Sequence, residues 1–368
     1  MGSKSMGKFL VAAGACLLAL LGGGLLTRSQ DIAAGIIQGL LISGTVLIPA
    51  LFPFMAFSSF LVLSGGARIL SIPLRFVTKY VFRLPGQHGV VVLASLIGGY
   101  PVGGKMIATL LEQNMLDRST AERMLGFCYG PSPSFMISAV GAGMLFDIRL
   151  GAILFVAQIS ASILVGIIFS LKAPLPAKDK ARPKTMGIAE AFVEAVRGAS
   201  AAMINMCAFA VLFSGLLYWV RGSGVIELAS QATRLSSGFV GALAAGFLEV
   251  TSGCIYAAGL SGQARIALVA IFSAWGGLSA IFQVVSLLGG IKLSWKYFIA
   301  GRLLHCLFAA IFSLALYRTF YAAMTTIPAM LHTALTVMYP GSRDWVAGAC
   351  LLIMCAMLTL SRGQGTDR

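Results

Sequence analysis

Residues 96–106 read LIGGYPVGGKM. Four glycines, a proline and a lysine interrupt a stretch that is otherwise apolar on both sides. Glycine and proline are the weakest helix formers, and a lysine costs free energy in hydrocarbon. A helix entering this stretch stops and restarts, and the backbone groups freed at the break need polar partners that lipid does not offer.

Working outward, the chain of 368 residues is 58% hydrophobic and 11% charged, with mean hydropathy +0.91. Soluble domains carry roughly a quarter charged residues, so the composition points to a polytopic helical membrane protein. The net charge of +15 does not mark a nucleic-acid binder, because the cationic residues fall in loops between apolar spans, as the positive-inside rule expects. All seven cysteines lie in apolar segments without a CxxC pair, which argues against a zinc site or a disulfide framework. No HExxH, GxSxG or P-loop is present. The expectation is therefore a protein that is not an enzyme and holds no metal or cofactor.

Hydropathy and loop charge suggest five regions: an N-terminal span within 1–32, a first repeat over 33–172, a basic cytoplasmic linker over 173–197, a second repeat over 198–321, and a C-terminal span within 322–368. Residues 88–114 leave and return to the side marked by Arg83 and Arg118, which reads as a re-entrant hairpin, and 237–262 has the same form. Each half then reads helix, hairpin, broken span, span. An odd number of crossings separates the halves, so they are expected to be inverted-topology repeats, a common architecture of secondary transporters.

Four breaks stand at matching places: GGYPVGG (98–104), GPSPS (130–134), EVTSG (249–253) and WGGLS (275–279). Helix N-termini offer free N–H groups and partial positive charge, suited to a carboxylate or phosphate. The candidate substrate-binding set is Gly99, Tyr100, Pro101, Gly103, Gly104, Lys105, Ser132, Ser134, Glu249, Thr251, Ser252, Gly277, Ser279, Gln283 and Arg302. Two readings stand for Lys105: a structural ion pair with Glu249, or a cation at an anion site. Arg302, three residues before His305, is either a snorkelling arginine beside a hydrogen-bonded core histidine or a second cationic contact for an anionic substrate. Each serine and threonine at a break either caps a helix end or touches a ligand.

These segments resemble a known family. GGYPVGGKMIATLLEQNMLDRSTAERMLGFCYGPSPSFMISAVGAGML (98–145) is similar to the core of the YlbJ-type sporulation integral membrane proteins. So are LISGTVLIPALFPFMAFSSFLV (41–62), GFLEVTSG (246–253), WGGLSAIFQVVSLL (275–288) and KYFIAGRLLHCLF (296–308). Where that family usually shows paired asparagines and SGP, this chain has CYGPSPS (128–134). The resemblance implies a nucleoside-recognition or gate-domain membrane protein. It further implies movement of dipicolinate, a planar dicarboxylate, into the developing spore across the mother-cell (outer forespore) membrane. A nucleoside or other solute carrier coupled to cations, or a non-transporting sporulation scaffold, stands as the alternative. The partners expected are a small anion and the lipid bilayer, with no nucleic acid.

Overall fold

A computed structural model describes residues 22–24, 27–66, 69, 72–112, 114, 116–174, 186–288, 290–291 and 293–321. The expected first span over 9–27 (largely), the core of the basic linker (175–185) and the closing span beyond 321 lie outside the described residues. All regular structure among the described residues is helical, with no strand.

The chain enters as α1 (Ser29–Ile42) and passes through a π-turn at Ser43–Leu47 into α2 (Ile48–Leu63). The π-turn has a local cause. Pro49 donates no hydrogen bond to the preceding turn, and a wider turn ahead of it absorbs the mismatch. Helices α1 and α2 run on with helical dihedrals through both junctions.

After a short α3 (Arg75–Tyr80) come two half-length helices, α4 (Gly89–Gly98) and α5 (Tyr100–Glu112). Next are α6 (Arg118–Phe127), a π-helix at Ser134–Met144 and the long α7 (Ile148–Ser170). The second half opens with α8 (Ile188–Gly222) and a surface helix α9 (Val225–Thr233). It continues with the half-helices α10 (Ser237–Leu248) and α11 (Val250–Ala258), then α12 (Gly262–Trp275) and α13 (Gly277–Leu287), and ends in α14 (Lys296–Leu316).

Length separates two kinds of helix. Ile148–Ser170, Ile188–Gly222, Gly262–Leu287 and Lys296–Tyr321 are long and apolar enough to cross a membrane. At about 1.5 Å per residue, the 23 residues of α7 reach roughly 35 Å, enough for a hydrocarbon core of about 30 Å. The 10 residues of α4 and 12 of α10 reach about half that depth. Each half-helix folds back on its successor. Ser95 of α4 faces Gly103 of α5, where an added Cβ would come within 2.9 Å of it, and Gly246 of α10 meets Gly253 of α11 backbone to backbone.

Packing between the halves is reciprocal. The second leg of one pair, α5, packs on α13, while the second leg of the other, α11, packs on the Ser134–Met144 π-helix. Helix α14 lies behind both, against α6, α7 and α12. Helix α8 covers α1, α2 and α13. One continuous apolar core joins these elements, and it holds the four chain breaks at a common place.

Candidate functional site

Each break has its own local chemistry. At Gly99 the backbone takes φ +82 and ψ −168, a region that is essentially closed to residues with a Cβ. The glycine lets the chain reverse between α4 and α5. After α6 the chain is non-helical over 128–132. Ser132 then caps the π-helix: its Oγ accepts from the Phe135 N–H at 3.2 Å and lies 3.1 Å from Ser134 Oγ. At the third break a single extended residue, Glu249, separates α10 from α11. Its Oε1 accepts from Thr251 N–H at 2.8 Å and its Oε2 from Ser252 N–H at 2.6 Å. The fourth break is Gly276 and Gly277, both at positive φ.

These breaks converge. A cavity is lined by Gly98–Pro101 from the first, Ser132 and Phe135 from the second, Glu249–Thr251 from the third, and Ser279, Ala280 and Gln283 from the fourth. Its remaining wall is apolar, from Leu47, Leu51 and Met55 on one side and Met206 and Ala210 of α8 on the other. The breaks also touch pairwise within each half. A Cβ on Gly99 would lie 3.1 Å from Ser132 Cβ, and one on Gly277 would lie 2.9 Å from Glu249 Cα. The cavity's free volume is about 30 Å³, room for about two waters.

The first turns of α5, α11, α13 and the π-helix therefore face the chamber, presenting four partially positive ends. The C-terminal ends of α6 and α12 are treated differently. Arg302 of α14, 0% exposed, donates from its Nη1 to the Ala274 carbonyl at 2.8 Å and from its Nη2 to the Gly126 carbonyl at 3.0 Å. Each C-terminus carries about −0.5 of an elementary charge, so two of them balance roughly one guanidinium. That balance accounts for a buried cation without a carboxylate partner. The Tyr129 and Phe298 rings cover it at 4.5 Å and 5.6 Å. His305 completes the group. Arginine has no acceptor, so His305 Nδ1, 3.1 Å from Arg302 Nη1, is the acceptor, and its Nε2 carries the proton toward the Gln158 carbonyl at 3.1 Å.

Two further bonds tie the halves at this level. Tyr100 Oη donates to the Ser273 carbonyl at 2.5 Å, and Gln158 Nε2 to the Ala270 carbonyl at 2.8 Å. The Tyr100 and Tyr129 rings stand 4.9 Å apart, one from each of the first two breaks.

Of the candidate set, Gly99, Tyr100, Pro101, Ser132, Glu249, Thr251, Ser279 and Gln283 line the chamber. The others lie outside it. Gly103 packs on the Cys128 carbonyl and Gly104 on Val284. Ser134, Ser252 and Gly277 sit one step behind, against residues that do line it. Lys105 is exposed on the flank of α5, with its Nζ beside Gly198 of α8. No ion pair joins it to Glu249, whose carboxylate lines the chamber and caps its own helix start. Arg302 neither snorkels nor reaches the chamber; it fastens helix ends. Sequence reasoning missed the apolar wall, which has no signal beyond ordinary hydrophobicity. It also missed Gln158, a polar residue inside an apolar span that was available as a clue. Among the described residues no cluster of His, Cys, Asp or Glu is arranged to hold a metal ion.

Comparison with known proteins adds one relative. The chain is 26% identical over 308 residues to the sporulation integral membrane protein YlbJ of Bacillus subtilis (strain 168), covering 76% of each chain. That similarity supports a YlbJ-type assignment. No family model matches the chain, and no solved structure matches it.

Proposed function

We propose, from the premise that this is an integral membrane protein of the YlbJ type, that the chain carries a small organic anion through the chamber between its four broken helices. One observation supports the reading above all: the first turns of α5, α11, α13 and the π-helix line a single buried cavity. The α11 and π-helix ends already give N–H groups to Glu249 and Ser132, so α5 and α13 are the ends whose N–H groups and partial positive charge suit a carboxylate.

In this reading the two halves are inverted-topology repeats, and α4–α5 and α10–α11 are re-entrant hairpins. The reciprocal packing of α5 on α13 and α11 on the π-helix supports it, as does the half-bilayer length of α4 and α10. Dipicolinate is the substrate proposed, moved into the developing spore across the mother-cell (outer forespore) membrane. The relative's role in sporulation supports that choice. A chamber with room for about two waters is too small for such an anion, so in this reading a hairpin moves aside to admit it.

The test is uptake and equilibrium binding of dipicolinate by purified protein in reconstituted vesicles, with nucleosides and other planar dicarboxylates as competitors. Saturable uptake, inhibited by dicarboxylates and indifferent to nucleosides, is the expected result. Neither uptake nor binding at millimolar dipicolinate overturns the substrate assignment, and uptake of nucleosides instead replaces it with the alternative carrier.

A further inference from the structure

Among the described residues, the wall of the chamber proposed for an anion has no lysine, arginine or histidine, and it has one carboxylate. Glu249 is 2% exposed and forms no ion pair among the described residues. Beside it the Thr251 hydroxyl is buried with no hydrogen-bond partner, and Thr251 lines the same chamber. Ser132, Ser279 and Gln283 also line the wall.

We infer that this corner of the chamber binds a monovalent cation of sodium size, held by the Glu249 carboxylate and the Thr251 hydroxyl. The donor chemistry favours it. All of these atoms are hard oxygen ligands, and a single carboxylate with neutral hydroxyl and amide oxygens suits one positive charge better than two. Size favours it as well. The chamber has about 30 Å³ free, enough for an ion with a water and too little for an organic guest.

Charge gives the ion a purpose. Four helix N-termini contribute about +0.5 each to the chamber. Glu249 cancels half of that, and the C-terminal ends of α4 and α10, at about −0.5 each, cancel the rest. The chamber as built is close to neutral, so an anion entering alone brings uncompensated charge into a low-dielectric site. A cation at Glu249 supplies the missing charge while the anion takes the N-terminal ends of α5 and α13. The ion site rests on the lining of the chamber and the unpartnered Thr251 hydroxyl; its role as counter-ion rests on the anion reading above.

The experiment is thermal unfolding of the purified full chain in detergent, titrated with sodium, potassium or choline chloride at constant ionic strength. Dipicolinate binding is measured in parallel in each salt. Sodium is expected to raise Tm saturably by a few degrees, choline not at all. Glu249→Gln abolishes the rise and Thr251→Val weakens the apparent affinity at least severalfold. Thr251→Val carries the test alone if Glu249→Gln fails to fold. Equal Tm in all three salts, or a sodium response unchanged in both variants, overturns the cation site. Dipicolinate binding of equal affinity in sodium and choline leaves the carrier standing and removes the counter-ion. A sodium response with no dipicolinate binding removes the organic anion and leaves the ion site.

Discussion

The guanidinium of Arg302 lies 4.5 Å from the ring centroid of Tyr129, and together they seal the junction where two broken helices end. The same guanidinium holds the Gly126 carbonyl of the first half and the Ala274 carbonyl of the second. One side chain thus sets the relative position of the α6 and α12 ends, and through them the chamber. Arg302 acts on the chamber as a positioning residue.

Replacing it tests that role. Arg302→Met leaves two buried carbonyls without donors, at about 1–3 kcal/mol each, so unfolding in mixed micelles is expected to lose about 2–6 kcal/mol. Arg302→Lys keeps the charge and loses the forked geometry, so it falls between the two. A Met variant as stable as the wild type refutes the fastening role.

Glu249 serves its own helix before any ligand arrives. In choline chloride, Glu249→Ala removes the cap from the Thr251 and Ser252 N–H groups and costs about 0.5–2 kcal/mol, whereas Glu249→Gln retains an acceptor and costs less. Denaturation of the two variants side by side gives the order. Equal losses would mean that the cap contributes nothing.

The breaks themselves depend on glycine at particular dihedrals. Gly99→Ala is expected to lose about 1–3 kcal/mol, because φ +82 with ψ −168 admits almost no other residue. Gly276→Ala adds a clash, since its Cβ meets the Tyr129 hydroxyl. Gly241, inside α10 with nothing within 4 Å of an added Cβ, is the control, and Gly241→Ala is neutral or slightly stabilising. Melting temperatures that do not separate the first two from the third count against the assigned geometry.

Lys105 and Ser279 discriminate between two sources of the proposed anion affinity. Lys105 stands on the flank of α5, outside the chamber, so Lys105→Gln is expected to change dipicolinate affinity less than about twofold. Loss of one hydrogen bond to a charged ligand is worth about 1.5–3 kcal/mol, so Ser279→Ala weakens binding at least about tenfold. Isothermal titration or a radioligand assay reads both, and the reverse order overturns the chamber as the binding site.

Acid sensitivity has a defined sign. Burial pushes the Asp147 carboxyl up, but hydrogen bonds from Arg149 and Tyr321 outweigh it and hold its pKa below the usual carboxylate value. Asp117 behaves likewise, with burial opposed by hydrogen bonds from Ser119 and the Thr120 backbone. Both contribute stability that is full above the unfolded carboxylate pKa of about 3.9 and is lost as pH falls through the lower folded values. Tm is therefore expected to hold from neutrality to about pH 5 on account of these groups and to drop below about pH 4, with a shallower drop in Asp147→Asn.

Much of the architecture was legible because its signals are local. GGYPVGG, GPSPS, EVTSG and WGGLS each break a helix through the intrinsic preferences of glycine, proline and a capping side chain, and the structure breaks at Gly99, 128–132, Glu249 and Gly276. Glu249 was expected to pair with Lys105 or to line the anion site, and only the structure shows it capping the N–H groups two and three residues on. The two cations were not legible in the same way. For Lys105 and Arg302 an anion contact and a structural or snorkelling role both stood open, since a sequence shows that a residue is charged without showing which face of its helix it occupies.

What the amino-acid order determined by itself is a helical membrane chain interrupted at four places, because hydropathy and helix propensity are properties of neighbouring residues. Only the tertiary structure decided that the four interruptions share one chamber, that Lys105 turns away from it, and that Arg302 closes it from behind. The partners of Arg302 are carbonyls 176 and 28 residues away in the chain, and backbone carbonyls carry no side-chain signature, so the guanidinium found its counter-charge only once the helices had packed.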